Sequence, residues 1–286
     1  MARDRSAASL AASLEERYPG IAASSSERSG VKWLVATLFF ITLAALLCSL
    51  QLFQLTSEGT SKRTLRRSVA VLTEIDPLID RNYDDLHERA ASAAPGDELR
   101  LREYPIDVPL TRDQAQTLSK QDLRELLLDR SADVMYSHGT APLRASASGR
   151  GSVGAFSVGG ITNHGLGFLR KRNHDILAVL TFVLAALSAI LGVSLVALCR
   201  GFGRVAAVGG VVFAASAPML LIALGARVYM SASGDNEYLQ REFLSIGRGL
   251  LWIPIRNGIV FTLLGALMLA MGVALARWSD RGEAAR

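Results

Sequence analysis

The chain has 286 residues, is 50% hydrophobic, and balances 31 basic against 26 acidic residues for a net charge of +5. That excess includes no long basic run and its cations flank apolar segments, so attraction to lipid headgroups accounts for it and nucleic acid is not an expected partner. Two cysteines are too few for a disulfide-stapled scaffold.

Residues 1–30 are polar and rich in serine and alanine, with a Pro19-Gly20 break, a composition that predicts a disordered tail. A cleavable signal peptide would carry its apolar region nearer the start, so the first span is expected to be an uncleaved signal anchor. That span covers 31–55, and Lys32 and Trp33 open it as basic and aromatic interface anchors.

Residues 56–175 contain no membrane-length apolar run and are expected to form a small, mainly helical soluble domain with a flexible Gly/Ser-rich end. Leu65, Val69, Leu72, Ile75, Ile79, Tyr83, Leu86 and Ala90 recur at steps of three and four, the stripe of an amphipathic helix. Asp76-Pro77 interrupts it, predicting a kink or a restart with Asp76 as N-cap. Ala94-Pro95-Gly96 is a stop. The segment from Leu99 to Leu110 alternates apolar and polar residues around two prolines, as an extended edge or linker does. A second helix is expected to start at Thr111 or Ser119 and run to Ser137, with Ser119 and Asp122 as a capping box and His138-Gly139 as its stop. Leu123, Leu126, Leu127 and Val134 form its apolar face. The stripe residues Leu65, Val69, Leu72, Ile79, Tyr83, Leu123, Leu126 and Val134 are expected either to pack on each other or to meet a partner. Gly139 to Gly167 reads as flexible, with a short strand at Val153 to Val158.

Two uncharged runs at 176–199 and 205–226, joined by the basic hinge Arg200-Gly201-Phe202-Gly203-Arg204, predict a transmembrane hairpin with spans at 176–199 and 205–229. Residues 236–251 carry Leu239, Phe243, Ile246 and Leu250 at helical spacing, an amphipathic helix expected to lie on the membrane surface. The last span is 257–276, and 277–286 is a short tail. Cys48 and Cys199 both fall in spans, at ends that would not meet, so no disulfide is expected. Four spans place both termini on one side. The basic hinge and the Arg-bearing tail favour the cytoplasm for that side, which puts the 56–175 domain outside. Lys62, Arg63, Arg66 and Arg67 on one side and Arg170, Lys171 and Arg172 on the other flank that domain and pull the other way.

No Asp, Glu, His, Lys or Arg occurs in the cores of the spans, which argues against ion coupling. Small residues recur every fourth position: Ala206, Gly210, Ala214 and Pro218 in the third span, Ala266, Ala270 and Ala274 in the fourth, and Ala185 and Ala189 in the second. They predict close helix packing. The four histidines, His87, His138, His164 and His174, lack the paired spacing of a zinc motif. The Gly-x-Gly pairs at Gly165 and Gly201 follow no strand of a nucleotide fold. No metal, cofactor or catalytic residue is therefore expected. The overall expectation is an all-α membrane protein, four transmembrane helices with a soluble domain between the first two, in a prokaryotic plasma membrane. It would be non-enzymatic and act by interaction or sensing, through a protein partner or a second copy of itself. The competing expectation is a channel or transporter subunit.

Overall fold

The computed structural model describes residues 19–139, 166–199, 203–232 and 238–284. The chain is mainly helical. In order come α1 (Pro19–Leu55), α2 (Glu58–Thr73), α3 (Ile75–Ser92), β1 (Glu98–Leu99), β2 (Leu110–Thr111), α4 (Arg112–Thr117), α5 (Lys120–His138), α6 (Lys171–Leu198), α7 (Gly203–Ala232), α8 (Tyr238–Leu250) and α9 (Trp252–Ala284). Four stretches are helical, long and apolar enough to cross a membrane: Gly30–Leu55, Lys171–Leu198, Gly203–Ala232 and Arg241–Trp278. The first three overlap the spans read from the sequence closely, whereas the fourth begins at Arg241, ahead of the expected 257–276, and takes in most of α8. The first helix starts earlier than the expected tail allows, at Pro19, which sits at the helical position where its missing N–H costs nothing. Once an apolar helix is nucleated, each further turn is inexpensive to add.

The described residues divide into two compact units. One holds α1 up to Cys48, Phe182–Leu221 of α6 and α7, and α9 from Asn257. Phe39, Leu43, Leu47, Leu195 and Ala215 form its buried centre. Its helices otherwise turn large apolar side chains outward, Phe182 at 76% and Leu263 at 64% exposure. Such surface is stable only against lipid or another chain. Cys48 and Cys199 are free thiols.

The other unit comprises Ser49–Thr181 and Ile222–Arg256. This unit contains the expected 56–175 and extends beyond it at both ends and into 222–256. The ends of four apolar helices, α1, α6, α7 and α9, and all of α8 belong with the helices between the first two spans. Its core contains Leu65, Ile75, Leu86, Leu110, Leu123, Leu127 and Met135, all under 2% exposed. Leu166 and Leu169 close it from beyond α5, and Phe243 of α8 packs against it. The amphipathic α8 thus forms as expected, but part of its apolar face serves this core.

The long stripe is real, but its interruption is displaced. Glu74, with φ 47 and ψ 52, takes the left-handed conformation between α2 and α3. Asp76 is therefore not the N-cap. Pro77 falls in the first turn of α3, where its missing N–H would have had no helical acceptor. Because only one residue leaves the helical path, Leu65, Val69, Leu72, Ile75, Ile79, Leu86 and Ala90 all remain buried. The Leu99–Leu110 segment folds back on itself, pairing Glu98 with Thr111 and Leu99 with Leu110 antiparallel. Both expected starts of the second helix are used. Thr111 and Gln114 make a full capping box for α4. Ser119 accepts from the Asp122 N–H at 3.2 Å and its hydroxyl donates to the Asp122 carboxylate at 2.6 Å, starting α5. Gly139 ends α5 at φ 98, and a Cβ there would collide with the Arg170 guanidinium that donates to the His138 carbonyl at 2.7 Å. The expected strand at 153–158 and His164 lie outside the described residues.

Candidate functional site

α5 runs antiparallel along α2 and then α3, a direction recorded by four ion pairs. Lys62 meets Asp133 at 2.7 Å and Arg66 meets Asp129 at 2.8 Å on α2. Lys120 meets Asp80 at 2.8 Å and Arg124 meets Asp76 on α3. All of these carboxylates are exposed, so the pairs fix orientation more than they stabilise. Hydrogen bonds from Lys62 to Asp133 and Glu58 hold its ammonium well above its ordinary pKa. The Asp80 carboxylate raises Lys120 in the same way.

Beside this ladder lies a surface cleft of about 270 Å³, lined by Arg63, Arg66, Arg67, Ala70, Arg124 and Leu128. Three of its arginines occupy i, i+3 and i+4 of α2 and so share one face. Arg124 joins them from α5. From the sequence these arginines bear only on membrane orientation. The spacing Arg63-Arg66-Arg67 was the available signal, and the approach of Arg124 depends on the α2–α5 pairing.

The unit's core also contains a buried polar contact. The Tyr104 hydroxyl and the Ser131 hydroxyl are 2.7 Å apart. Burial pushes the Tyr104 phenol up to about 12, with the Ser131 hydrogen bond opposing.

The last turn of α1 and the first turns of α6 are joined side by side. Ser49 and Thr181 hydroxyls lie 2.7 Å apart, the Phe53 and His174 rings stack at 4.5 Å, and the Thr56 hydroxyl is 3.4 Å from His174 Nδ1. His174 is thus a packing residue of this junction. His87 stacks at a tilt on Tyr83, and His138 ends α5. Among the described residues no three His, Cys, Asp or Glu side chains gather as a metal site would require.

The residues expected to be a partner or packing stripe turn out to pack. Leu65, Val69, Leu72, Ile79 and Leu123 are buried, and Tyr83, Leu126 and Val134 lie against the same core. The small residues of the spans are corrected more sharply. The close approach of α7 and α9 is made by Gly258, Gly265 and Gly272, which lie against Leu220, Phe213 and Ala206. The spacing is seven residues on both helices, so one seam is used throughout. Gly209 meets Met268 and Leu269 in the same seam. Ala206 therefore packs as expected, whereas Ala214 is exposed and Gly210 touches only the tip of Leu269. Ala266, Ala270 and Ala274 line an open apolar groove of about 390 Å³ with Phe213, Leu269, Val273 and Arg277. No protein-family model, curated protein or solved structure matches the chain.

Proposed function

We propose that this chain is a non-enzymatic multi-pass protein of a prokaryotic plasma membrane that acts by protein interaction or sensing. In this reading the helices between the first and second spans stand outside the bilayer as a soluble domain, with both termini cytoplasmic. The observation that supports it is the apolar core those helices build, with Leu65, Ile75, Leu86, Leu123 and Leu127 buried in it. A loop that only linked two spans would not need such a core. The unit's outward surface is charged, and the α2–α5 and α3–α5 ion pairs orient the side chains a partner would meet. The recognising surface lies outside the buried stripe, on faces such as that of exposed Arg81, Asp84 and Glu88 on α3.

Photocrosslinking amino acids at Arg81, Asp84, Glu88 and Glu125, introduced one at a time into the full chain in cells, test this. A discrete adduct from neighbouring positions on one face supports the reading, with a doubled mass identifying a second copy. Absence of adducts from all four, together with solute flux or conductance in reconstituted liposomes, would replace it with a channel or transporter subunit. A cysteine at Asp97 in a Cys48→Ala, Cys199→Ala background reports the side of the membrane through an impermeant maleimide.

A further inference from the structure

The cleft between α2 and α5 carries more positive charge than its own carboxylates neutralise. Arg66 is held by Asp129 at 2.8 Å, with Glu125 at 3.9 Å, and Arg124 is held by Asp76. These pairs orient two of the four guanidiniums. Arg63 and Arg67 are exposed and make no hydrogen bond or ion pair with the described residues. They stand one turn apart on α2, where like charges repel. A bound anion would relieve that repulsion.

A guanidinium is a planar fork of donors that matches the oxygens of a phosphate. Four of them rim this cleft, whose apolar lining, Ala70 and Leu128, would accommodate carbon next to the phosphate. The position in the chain indicates where that phosphate comes from. Arg63 lies about two helical turns beyond Leu55, where the first apolar stretch ends. At helical rise the eight residue steps between them span roughly 12 Å. The headgroup layer is itself about 5–8 Å deep, and an arginine side chain reaches most of the remainder.

We propose that the α2–α5 cleft binds the phosphate group of an anionic phospholipid headgroup, with Arg63 and Arg67 as its ligating cations and Arg66 and Arg124 as its oriented rim. This goes beyond the reading of the unit as a protein-interaction module and does not depend on it. The test uses the full chain in detergent micelles, titrated with dioctanoyl phosphatidylglycerol or dioctanoyl phosphatidylcholine and read by native mass spectrometry. The expected result is a saturable one-to-one adduct with phosphatidylglycerol, favoured at least about tenfold over phosphatidylcholine. Arg63→Gln with Arg67→Gln should weaken it by roughly 20- to 30-fold, as the loss of two surface cations implies. Ala70→Leu, which fills the cleft without changing charge, should weaken it also. Lys171→Gln with Arg172→Gln removes two exposed cations outside the cleft and should leave the one-to-one adduct within about threefold.

Equal adducts in the wild type and the Arg63/Arg67 variant would overturn the proposal. So would equal losses in the Arg63/Arg67 and Lys171/Arg172 variants combined with no effect of Ala70→Leu, since that pattern is diffuse charge. Displacement of the lipid by inorganic phosphate or glycerol 3-phosphate at equal concentration would overturn the lipid as source and leave a soluble phosphate ester. Loss of a crosslinked protein partner in the Arg63/Arg67 variant, with no lipid adduct in the wild type, would assign the cleft to an acidic protein segment. A protein adduct that survives these substitutions leaves the interaction reading standing whatever the lipid result.

Discussion

The α7–α9 seam allows a graded test of membrane-helix packing. A Cβ added at Gly265 would sit 2.5 Å from the Phe213 backbone nitrogen and 2.9 Å from its Cα. Favourable separation between such atoms is about 3.5–4.0 Å, so the helices must part by roughly 1 Å. Neither obstructing atom belongs to a side chain that could turn aside. Gly272 meets the Ala206 backbone equally closely, whereas Gly258 meets the Leu220 Cβ at 3.0 Å. Gly210 is the internal control, since its nearest neighbour is the flexible Leu269 Cδ1 at 3.8 Å. Overpacking costs about 1–3 kcal/mol. Replacing a helical glycine by alanine returns roughly 0.5–1 kcal/mol of that. Gly265→Ala and Gly272→Ala should therefore each destabilise by about 1–2 kcal/mol, Gly258→Ala by less, and Gly210→Ala should be neutral or mildly stabilising. The assay is reversible unfolding of the purified chain in mixed micelles by SDS titration, followed by tryptophan fluorescence. Equal stabilities across the four variants, or a Gly210→Ala as damaging as Gly265→Ala, would refute the seam.

The helical unit offers three further tests in the full chain. Leu127→Ala removes a side chain that is 0% exposed and should destabilise by about 2–5 kcal/mol, accelerating hydrogen exchange of the α2 and α5 amides at least tenfold. Unchanged protection would mean the core is not shared by those helices. Thr111→Ala breaks the α4 capping box and should cost about 1 kcal/mol, read as faster exchange confined to the α4 amides. Tyr104 gives a pH signature. Its phenol titrates near 10 when unfolded and is pushed up to about 12 when folded, so its stabilisation is complete below pH 10 and is lost as pH rises towards 12. The loss amounts to about 2.7 kcal/mol at most. Tyr104→Phe should remove that component, and denaturation curves of the two proteins at pH 9 and pH 11.5 compare it directly; parallel pH dependence would refute it.

What was legible in the sequence follows from the range of the interaction that determines it. Spans are legible because length and apolarity are local properties, and the stripe from Leu65 to Ala90 because helical phase survives a one-residue break. The break itself was misplaced. Proline is conspicuous, but Pro77 is tolerated in a first turn, and the residue that leaves the helical path is Glu74, whose side chain signals nothing of the kind. Alanine every fourth residue was likewise a weaker guide than glycine every seventh. A contact between two long helices recurs at seven residues, and only glycine permits the backbone approach at 265 and 272. The arginine cleft was hidden because Arg124 reaches it through pairing of helices that lie far apart in the chain. The role of Phe243 was hidden for the same reason.

That one phenylalanine constrains how the chain is threaded through a bilayer. Phe243 packs on a core whose main helices, α2 to α5, precede it, and α6 and α7 lie in between. Both segments must then occupy the same side, so the number of crossings between them is even, and α6 and α7 cross together or not at all. A chain with one of them lying flat would carry Phe243 to the wrong side and leave that face of the core uncovered. It also sets an order on biosynthesis, because Phe243 can dock on the core only after the ribosome has passed the second arm of the hairpin.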